Sequence, residues 1–185
     1  LPEAASAELA PQLLTAGVRV IDLSGAFRLR DDAWRTKWYP ATGALPDGVA
    51  YGLTEFETPA IRTARLLSNP GCYPTGGIAL LRPLVDAGLL PPDYPVVMSG
   101  YTGYSGGGRQ MIEAYEVTHT APLLEVYGLG LNHKHLPELQ QYSGLTRRPI
   151  FVPAVANYYA GMIDQIGLQF DLMKGVTRSQ QLEDA

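Results

Sequence analysis

Apolar residues along the chain form short runs, separated by stretches in which they recur with helical spacing. Five runs predict strands: residues 18–23, 65–68, 95–98, 127–131 and 150–153, of which 65–68 and 95–98 are typical of buried strands. Helical spacing predicts an opening helix stopped by Gly17, a helix over residues 75–87 closed by Gly88, and a helix over residues 109–117. This alternation of strands and helices predicts the α/β fold class.

Three further stretches have less regular patterns. Residues 27–52 are rich in aromatic and turn residues with no clear period, which predicts a long surface excursion. Pro83 lies inside the helix predicted over residues 75–87, so we expect a kink there or two shorter helices. Residues 166–172 alternate apolar with polar or small side chains, which predicts a final strand with one packed and one wet face.

Composition and charge narrow the function classes. The 185 residues are 46% hydrophobic and 17% charged, as in a soluble globular protein, and the net charge of −4 offers no basic surface for nucleic acid. No apolar run approaches the ~18 residues of a membrane-spanning helix, so we expect no membrane partner. The single cysteine cannot form an internal disulfide, which agrees with a cytoplasmic protein.

That cysteine, Cys72, lies between the strand predicted over residues 65–68 and the helix that follows. Pro70 and Gly71 supply a sharp bend, and Pro74 suits the first turn of a helix. The sulfur would then sit near a helix N-terminus, where unpaired amides and the helix dipole favour a thiolate. Two interpretations remain open: a catalytic nucleophile, or a buried cysteine acting as a small apolar residue.

Residues 99–108 form a glycine-rich stretch between a predicted strand and a predicted helix. Glycines there would let backbone amides approach an anion or a flat cofactor ring. The stretch lies past the middle of the chain, whereas the phosphate loop of a dinucleotide-binding fold opens its first βαβ unit. The alternative is a flexible crossover loop.

Two of the three histidines, His133 and His135, stand two residues apart, which would place both rings on one face of an extended segment. With Cys72 and His119 they would make a four-ligand zinc set, but a second short-spaced ligand pair is missing, so we expect no metal. Proton exchange with a cysteine that attacks an acyl carbon is the commoner arrangement. The alternative is a pair of solvent-exposed histidines.

These stretches, in this order, resemble the N-acetyl-gamma-glutamyl-phosphate reductases, which are related to the aspartate-semialdehyde dehydrogenases. The resemblance rests on residues 22–29, 68–77, 99–109 and 133–138 and covers nearly the whole chain. It implies NADPH-dependent reduction of an acyl phosphate to an aldehyde with release of phosphate, in arginine biosynthesis. It also implies a homo-oligomer, either a dimer or a tetramer.

The resemblance implies roles for particular residues. Cys72 matches the nucleophile that forms a thioester, and His135 the proton carrier, with His133 as the second candidate. Arg28 would meet the substrate phosphate, for which a planar guanidinium is suited. The remaining implied site residues are Ser24, Arg109 and Glu138 for the substrate, and Ser99, Gly100, Ser105, Gly106 and Gly107 for the cofactor.

The same resemblance implies a domain division and a truncation. Residues 1–68 would be the C-terminal part of an NADP-binding domain, and residues 69–185 a catalytic and dimerisation domain with a mixed sheet. The chain starts with Leu1 and shows no glycine-rich nucleotide turn before Val18, so we expect a fragment that binds NADPH poorly on its own. The alternatives are a cysteine-dependent acyl hydrolase or transferase without nucleotide, and a noncatalytic oligomerisation module.

Overall fold

A computed structural model describes residues 1–185, and the chain forms two compact units, Leu1–Thr75 and Gly76–Ala185. The first unit contains a three-stranded parallel sheet with β3 in the centre, in the order β1-β3-β2. Its elements in chain order are α1 (Glu3–Thr15), β1 (Val20–Asp22), α2 (Asp32–Trp38), β2 (Val49–Tyr51), α3 (Thr54–Thr63) and β3 (Leu66–Ser68).

The opening helix α1 covers a small apolar core of the first unit. Ala10 of α1 is buried together with Phe27 and with Leu66 of the central strand. The helix stops where predicted, because Gly17 adopts a positive φ of 83° that other residues reach only with strain. The helix and the strand predicted for this region are therefore confirmed.

The surface excursion predicted for residues 27–52 is wrong, because this stretch contains α2, β2 and buried side chains. Asp31 caps α2 by accepting a hydrogen bond from the Trp34 amide at 2.8 Å. Arg35 of α2 is buried, with Nε donating to the Gly43 carbonyl at 3.0 Å and Nη1 to the Leu29 carbonyl at 3.2 Å. Because Arg35 is buried although it is charged, and because β2 has only three residues, the sequence shows no apolar periodicity that would predict these elements.

The second unit contains a four-stranded mixed sheet in the order β5-β6-β4-β7. Strand β4 pairs in parallel with β6 and antiparallel with β7, and β5 pairs antiparallel with β6. The α/β fold class with a mixed sheet is thus confirmed. The elements are α4 (Cys72–Asp86), within which the boundary between the units falls, β4 (Val97–Gly103), α5 (Gly108–Glu116), β5 (Leu124–Val126), α6 (Leu136–Ser143), β6 (Ile150–Ala156), β7 (Met162–Ile166) and α7 (Gln180–Glu183).

One face of this sheet is covered by helices. Met98 of β4 and its register partner Phe151 of β6 are buried on that face. Gly77 of α4 has no room for a side chain, because an added Cβ would lie 2.7 Å from Cδ1 of Leu139 in α6 and 3.0 Å from Sδ of Met98. Close backbone approach therefore packs α4 against both α6 and the sheet.

The helices of the chain are too short or too polar to span a membrane.

Two strand predictions in this unit are wrong, and one alternative for the helix at Pro83 is excluded. The last strand is β7 (Met162–Ile166), and the alternating residues beyond it continue as a loop and a 3-10 turn, where the Gln169 amide donates to the Tyr94 hydroxyl. The strand predicted over residues 127–131 is a turn in which Leu131 has a φ of 52°. Helix α4 continues through Pro83 as one helix, so two separate helices do not form.

Asp164 is an acid on the otherwise apolar inner side of β7, between Met162 and Ile166. It is half-buried, and its Oδ1 is shielded from solvent without a hydrogen-bond partner. Its Oδ2 lies 2.1 Å from where a Cβ of Gly76 would be, so the carboxyl rests on the backbone of α4. Burial raises the pKa of Asp164 to about 6.

We expect Asp164→Asn to raise the free energy of unfolding above pH 7, by on the order of 1 kcal/mol after allowance for solvent screening. The pKa of Asp164 in the folded protein lies above its ordinary value of 3.8. Its contribution to the free energy of unfolding is therefore fully present below pH 3.8 and is lost as the pH rises through about 6. Urea unfolding between pH 5 and pH 8, at about one-unit steps, would measure this.

The control is Asp171→Asn, which removes an exposed carboxyl from the same unit. It reports what the loss of an exposed carboxyl does to the free energy of unfolding, and that effect is subtracted from the effect of Asp164→Asn at each pH. An Asp164→Asn protein that is less stable than the natural protein at pH 8 would contradict the interpretation of Asp164 as a destabilising charge.

Candidate active-site residues

The turn after the central strand β3 presents Cys72 as the first residue of α4. Both the amide and the hydroxyl of Thr75 donate to the Gly71 carbonyl, at 3.0 and 2.9 Å, which closes the first helical turn. The predicted strand, sharp bend and helix are therefore confirmed. Cys72 is exposed, so the interpretation as a buried apolar residue is wrong.

Both neighbouring strands of the first unit hold this turn. The Asn69 amide donates to the Asp22 carbonyl at the end of β1, and the Gly52 amide after β2 donates to the Ser68 carbonyl, each at 2.8 Å. A Cβ on Gly52 would lie 3.2 Å from that Ser68 oxygen, tighter than ordinary contact. The carboxyl ends of all three strands thus meet at the turn that leads to Cys72.

Arg28 and Ser24 lie in the loop after β1 and join the same group of hydrogen bonds. Arg28 is only 7% exposed, and its Nε donates to the Asn69 carbonyl at 2.8 Å while Nη2 donates to the Leu23 carbonyl at 3.1 Å. Ser24 donates to the Asp22 carboxylate at 2.7 Å and accepts from the Ala26 amide. The structure therefore brings both predicted substrate residues to the Asn69 turn, and their contact with a phosphate stays a prediction.

The glycine-rich stretch differs from the predicted loop. Ser99 and Gly100 lie inside β4, and only residues 104–107 form a 3-10 turn. The amides of Gly103, Tyr104 and Ser105 donate to carbonyls of residues 158–161 at 3.0 Å, so they are not available to an anion. The remaining predicted residues of this stretch, Gly106, Gly107 and Arg109, are exposed.

His133 is half-buried among aromatic rings of the second unit. Its ring meets that of Phe151 edge-on at 5.1 Å and that of His135 at 4.8 Å. Burial, with a smaller contribution from Lys134, lowers the pKa of His133 to about 4. Its Nδ1 accepts a hydrogen bond from the His135 amide at 3.2 Å, so the neutral ring carries its proton on Nε2.

His135 and Glu138 stand at the start of α6. His135 precedes the first helical residue and is 7% exposed, and Glu138 lies in the first turn and is fully buried. The backbone at His135 is helical rather than extended, so the rings come together through a turn and not through strand alternation. The interpretation as two solvent-exposed histidines is wrong. A carboxylate in the first turn is favoured by the helix dipole.

Sequence reasoning missed partners of these residues. Asp22 lies within residues 22–29, but no sequence signal identifies its carboxylate as the acceptor for the Ser24 hydroxyl. The sequence pattern places Phe151 only in a strand and gives no sign that its ring packs on that of His133. His119 is exposed, with a ring nitrogen at 2.9 Å from the Tyr115 carbonyl, and the structure contains no group of three or more His, Cys, Asp or Glu side chains that could hold a metal ion.

Family profiles match both parts of the chain. The profile described as the semialdehyde dehydrogenase NAD binding domain matches residues 1–64, and the one described as the semialdehyde dehydrogenase dimerisation domain matches residues 72–185. The Vibrio cholerae structure of aspartate semialdehyde dehydrogenase II superposes with a TM-score of 0.69 over 99% of this chain and 57% of that chain, at 18% identity. At 18% identity, this similarity supports a shared fold and nothing further.

Curated relatives are much closer in sequence. A protein of Chelativorans sp. strain BNC1 named N-acetyl-gamma-glutamyl-phosphate reductase is 44% identical over 100% of this chain and 56% of its own length. Proteins of the same name from Burkholderia cenocepacia strain J2315 and Brucella anthropi are 45% and 46% identical over 96% and 95% of this chain, and 54% of each relative. The chain therefore spans about half the length of these relatives.

We expect His133 to remain neutral down to about pH 5, because its folded pKa is about 4 rather than the ordinary 6.5. The ring nitrogen shifts in NMR spectra should show the Nε2-protonated tautomer throughout that range. As the pH falls, the unfolded chain binds this proton at a higher pH than the folded protein does. The free energy of unfolding is therefore greatest above pH 6.5 and decreases as the pH falls from 6.5 to about 4. A His133 ring that titrates near the ordinary value of 6.5 would contradict the assignment.

Proposed function

Because the chain belongs to the N-acetyl-gamma-glutamyl-phosphate reductase family of the semialdehyde dehydrogenases, we propose that the protein reduces N-acetyl-gamma-glutamyl phosphate to N-acetylglutamate semialdehyde. Phosphate is released, and the reaction is a step of arginine biosynthesis. The observation that carries the proposal is the exposed Cys72 at the start of α4, in the motif that matches the nucleophile of this family.

Cys72 supplies the nucleophile in this proposal. Its thiolate attacks the acyl carbon, a carbon–sulfur bond forms, and the carbon–oxygen bond to phosphate breaks, leaving a thioester. Hydride addition to the thioester carbon then gives a tetrahedral oxyanion. That oxyanion collapses to the aldehyde and returns the thiolate. The helix N-terminus at Cys72 favours the anionic sulfur in both the first and the last state.

His135 is the proton carrier in this proposal. It donates a proton to the departing phosphate, which balances the negative charge that leaves the acyl carbon when the thiolate displaces the phosphate. His133 is unsuited to that task, because a histidine with a pKa of about 4 is neutral at physiological pH and its Nδ1 already accepts the His135 amide. We assign His133 the role of orienting the backbone at His135. Glu138, Ser24 and Arg109 remain proposed substrate residues.

NADPH is the proposed cofactor, and it supplies the hydride when bound. The residues that fit its nicotinamide end are Gly106 and Gly107, two exposed glycines at the end of the 3-10 turn over residues 104–107. Residues 1–68 are proposed to belong to the nucleotide-binding domain and residues 69–185 to the catalytic and dimerisation domain. The parallel pairing of β1, β2 and β3 supports the assignment of residues 1–68 to a nucleotide-binding domain, because dinucleotides bind at the carboxyl ends of parallel strands.

A second copy of the protein is the proposed partner of the open face of the four-stranded sheet. Val97 and Ile150 are register partners on that face, as are Tyr101 and Ile163, and all four are exposed. An open sheet face that carries several large exposed apolar side chains favours an interaction surface. The profile that matches residues 72–185 is described as a dimerisation domain, which favours a homo-oligomer as the occupant.

For the reaction, we expect Cys72→Ser to abolish NADPH oxidation by the full-length protein, because a serine hydroxyl is scarcely ionised near neutral pH. His135→Asn should lower kcat by ~10² to 10⁴ with KM nearly unchanged. His133→Asn is the matched control and should lower kcat less. Steady-state kinetics with the acyl phosphate measure all three, and turnover by Cys72→Ser would remove Cys72 from the mechanism.

For the interface, we expect Ile163→Lys to shift the protein toward the monomer in sedimentation experiments, because a charge would be desolvated between two sheet faces. Leu9→Lys, which adds the same charge at an exposed leucine of α1, is the control and should leave the oligomer unchanged. An Ile163→Lys protein with the same sedimentation coefficient as the natural protein would place the interface elsewhere.

A further inference from the structure

The Tyr104 side chain joins the 3-10 turn over residues 104–107 to helix α5. Its ring stacks on the ring of Tyr115 in α5, with the centroids 4.6 Å apart and the planes inclined by 13°. Its hydroxyl donates a hydrogen bond to the Glu116 carboxylate at 3.0 Å. Two neighbouring residues of one helix therefore hold both the face and the tip of this side chain.

The loop between β6 and β7 contacts the same turn. The Tyr159 ring of that loop meets the Tyr104 ring edge-on at 5.7 Å. The Tyr104 and Ser105 amides donate to the Tyr158 and Tyr159 carbonyls, each at 3.0 Å. A Cβ on Gly103 would lie 2.7 Å from both of those carbonyl oxygens, so the two backbones are in close contact. The Tyr104 ring thus contacts both the hairpin loop and α5.

We propose that Tyr104 is a positioning residue for hydride transfer, because its stacked ring fixes the turn whose glycines, Gly106 and Gly107, face the nicotinamide end of the cofactor. The inference rests on the proposed function, in which these two exposed glycines fit that end of NADPH. In the hydride step the thioester carbon is reduced and the nicotinamide is oxidised. Tyr104 touches neither group in this proposal and acts through the backbone of the turn.

The turn requires such an anchor because its own sequence restricts the backbone little. Residues 106–108 are three consecutive glycines, and Gly108 has a positive φ of 75°. The contacts of Tyr104 join a residue before these glycines to Tyr115 and Glu116 in the last turn of α5, the helix that begins at Gly108. They close a short loop around the glycines, and a closed loop has less conformational freedom than an open one.

The expected effect falls on the rate of the hydride step more than on cofactor affinity. A displacement of about 1 Å between reacting groups can lower a rate ~10²-fold. A dinucleotide is held mainly through its pyrophosphate, at the carboxyl ends of parallel strands and not at this turn. Loss of the Tyr104 ring should therefore leave NADPH bound but poorly placed.

The first measurement is hydrogen–deuterium exchange of the full-length protein without cofactor, which reports on the turn alone. The Tyr104→Leu variant removes both the stacked ring and the hydroxyl. We expect the amides of residues 103–107 to exchange about 10-fold faster in this variant than in the natural protein, because their local opening costs less free energy.

The second measurement concerns the hydride step in the same full-length variant. NADPH binding is titrated by fluorescence, and kcat is measured with NADPH and with NADPH deuterated at the transferred position. We expect the Kd for NADPH to change by less than about threefold and kcat to fall about 10- to 100-fold. The isotope effect on kcat should increase, because a slower hydride step then limits turnover.

Two further variants separate positioning from a general loss of stability. Tyr104→Phe keeps the stacked ring and loses only the hydroxyl, so kcat should stay within about threefold of the natural value. Phe170→Leu is the matched control, because Phe170 also opens a 3-10 turn of the second unit and is partly buried. It should leave both kcat and the exchange of residues 103–107 unchanged.

Three results would overturn the proposal. Unchanged exchange of residues 103–107 in Tyr104→Leu would show that the ring does not anchor the turn. Faster exchange with unchanged kcat and isotope effect would show that the turn does not position the nicotinamide. An equal loss of kcat in Phe170→Leu would make the effect general destabilisation. Full turnover by Cys72→Ser would instead refute the proposed function, so the two failures are distinguishable.

Discussion

The hydrogen bonds to the backbone of Asn69 are the constraint on which the first unit depends. Where parallel strands end, their chains part into loops, and each buried amide and carbonyl must still find a partner. Asn69 meets that requirement by bonding to both the end of β1 and the buried Arg28, while Gly52 satisfies the preceding residue from the side of β2. The position of Cys72 follows from these bonds, since α4 starts directly after them.

Two side chains of the second unit, His133 and Asp164, have strongly shifted pKa values, and in both the exclusion of water favours the neutral form. His133 is enclosed by aromatic rings and loses its proton more readily than a histidine in water. Asp164 rests on the backbone of α4 and keeps its proton to higher pH than an aspartate in water. The same burial therefore lowers the pKa of a base and raises that of an acid, as expected where charge is poorly solvated.

The sequence was sufficient for the strand, turn and helix around Cys72, because proline, glycine and apolar runs act there over a few residues. The same local signals predicted the α1 stop at Gly17 and the helix that became α5. Residues 27–52 could not be predicted in this way, since their order depends on a buried arginine, Arg35, that donates to the Leu29 and Gly43 carbonyls, and such bonds leave no apolar pattern in the sequence. The amides of residues 103–105 are likewise occupied by carbonyls more than fifty residues later in the chain, which no local pattern reveals. The site residues were found from motif order, whereas their partners Asp22 and Phe151 required the tertiary structure.

The exposure of Cys72 has a consequence for oxidative damage. An accessible thiolate is the form that peroxide converts to a sulfenic acid, and a nearby second thiol normally rescues such a group as an internal disulfide. Within these 185 residues there is no second cysteine. Repair of an oxidised Cys72 by this chain alone is therefore impossible, and recovery would require a thiol from outside these residues before the sulfur passes to the irreversible sulfinic state.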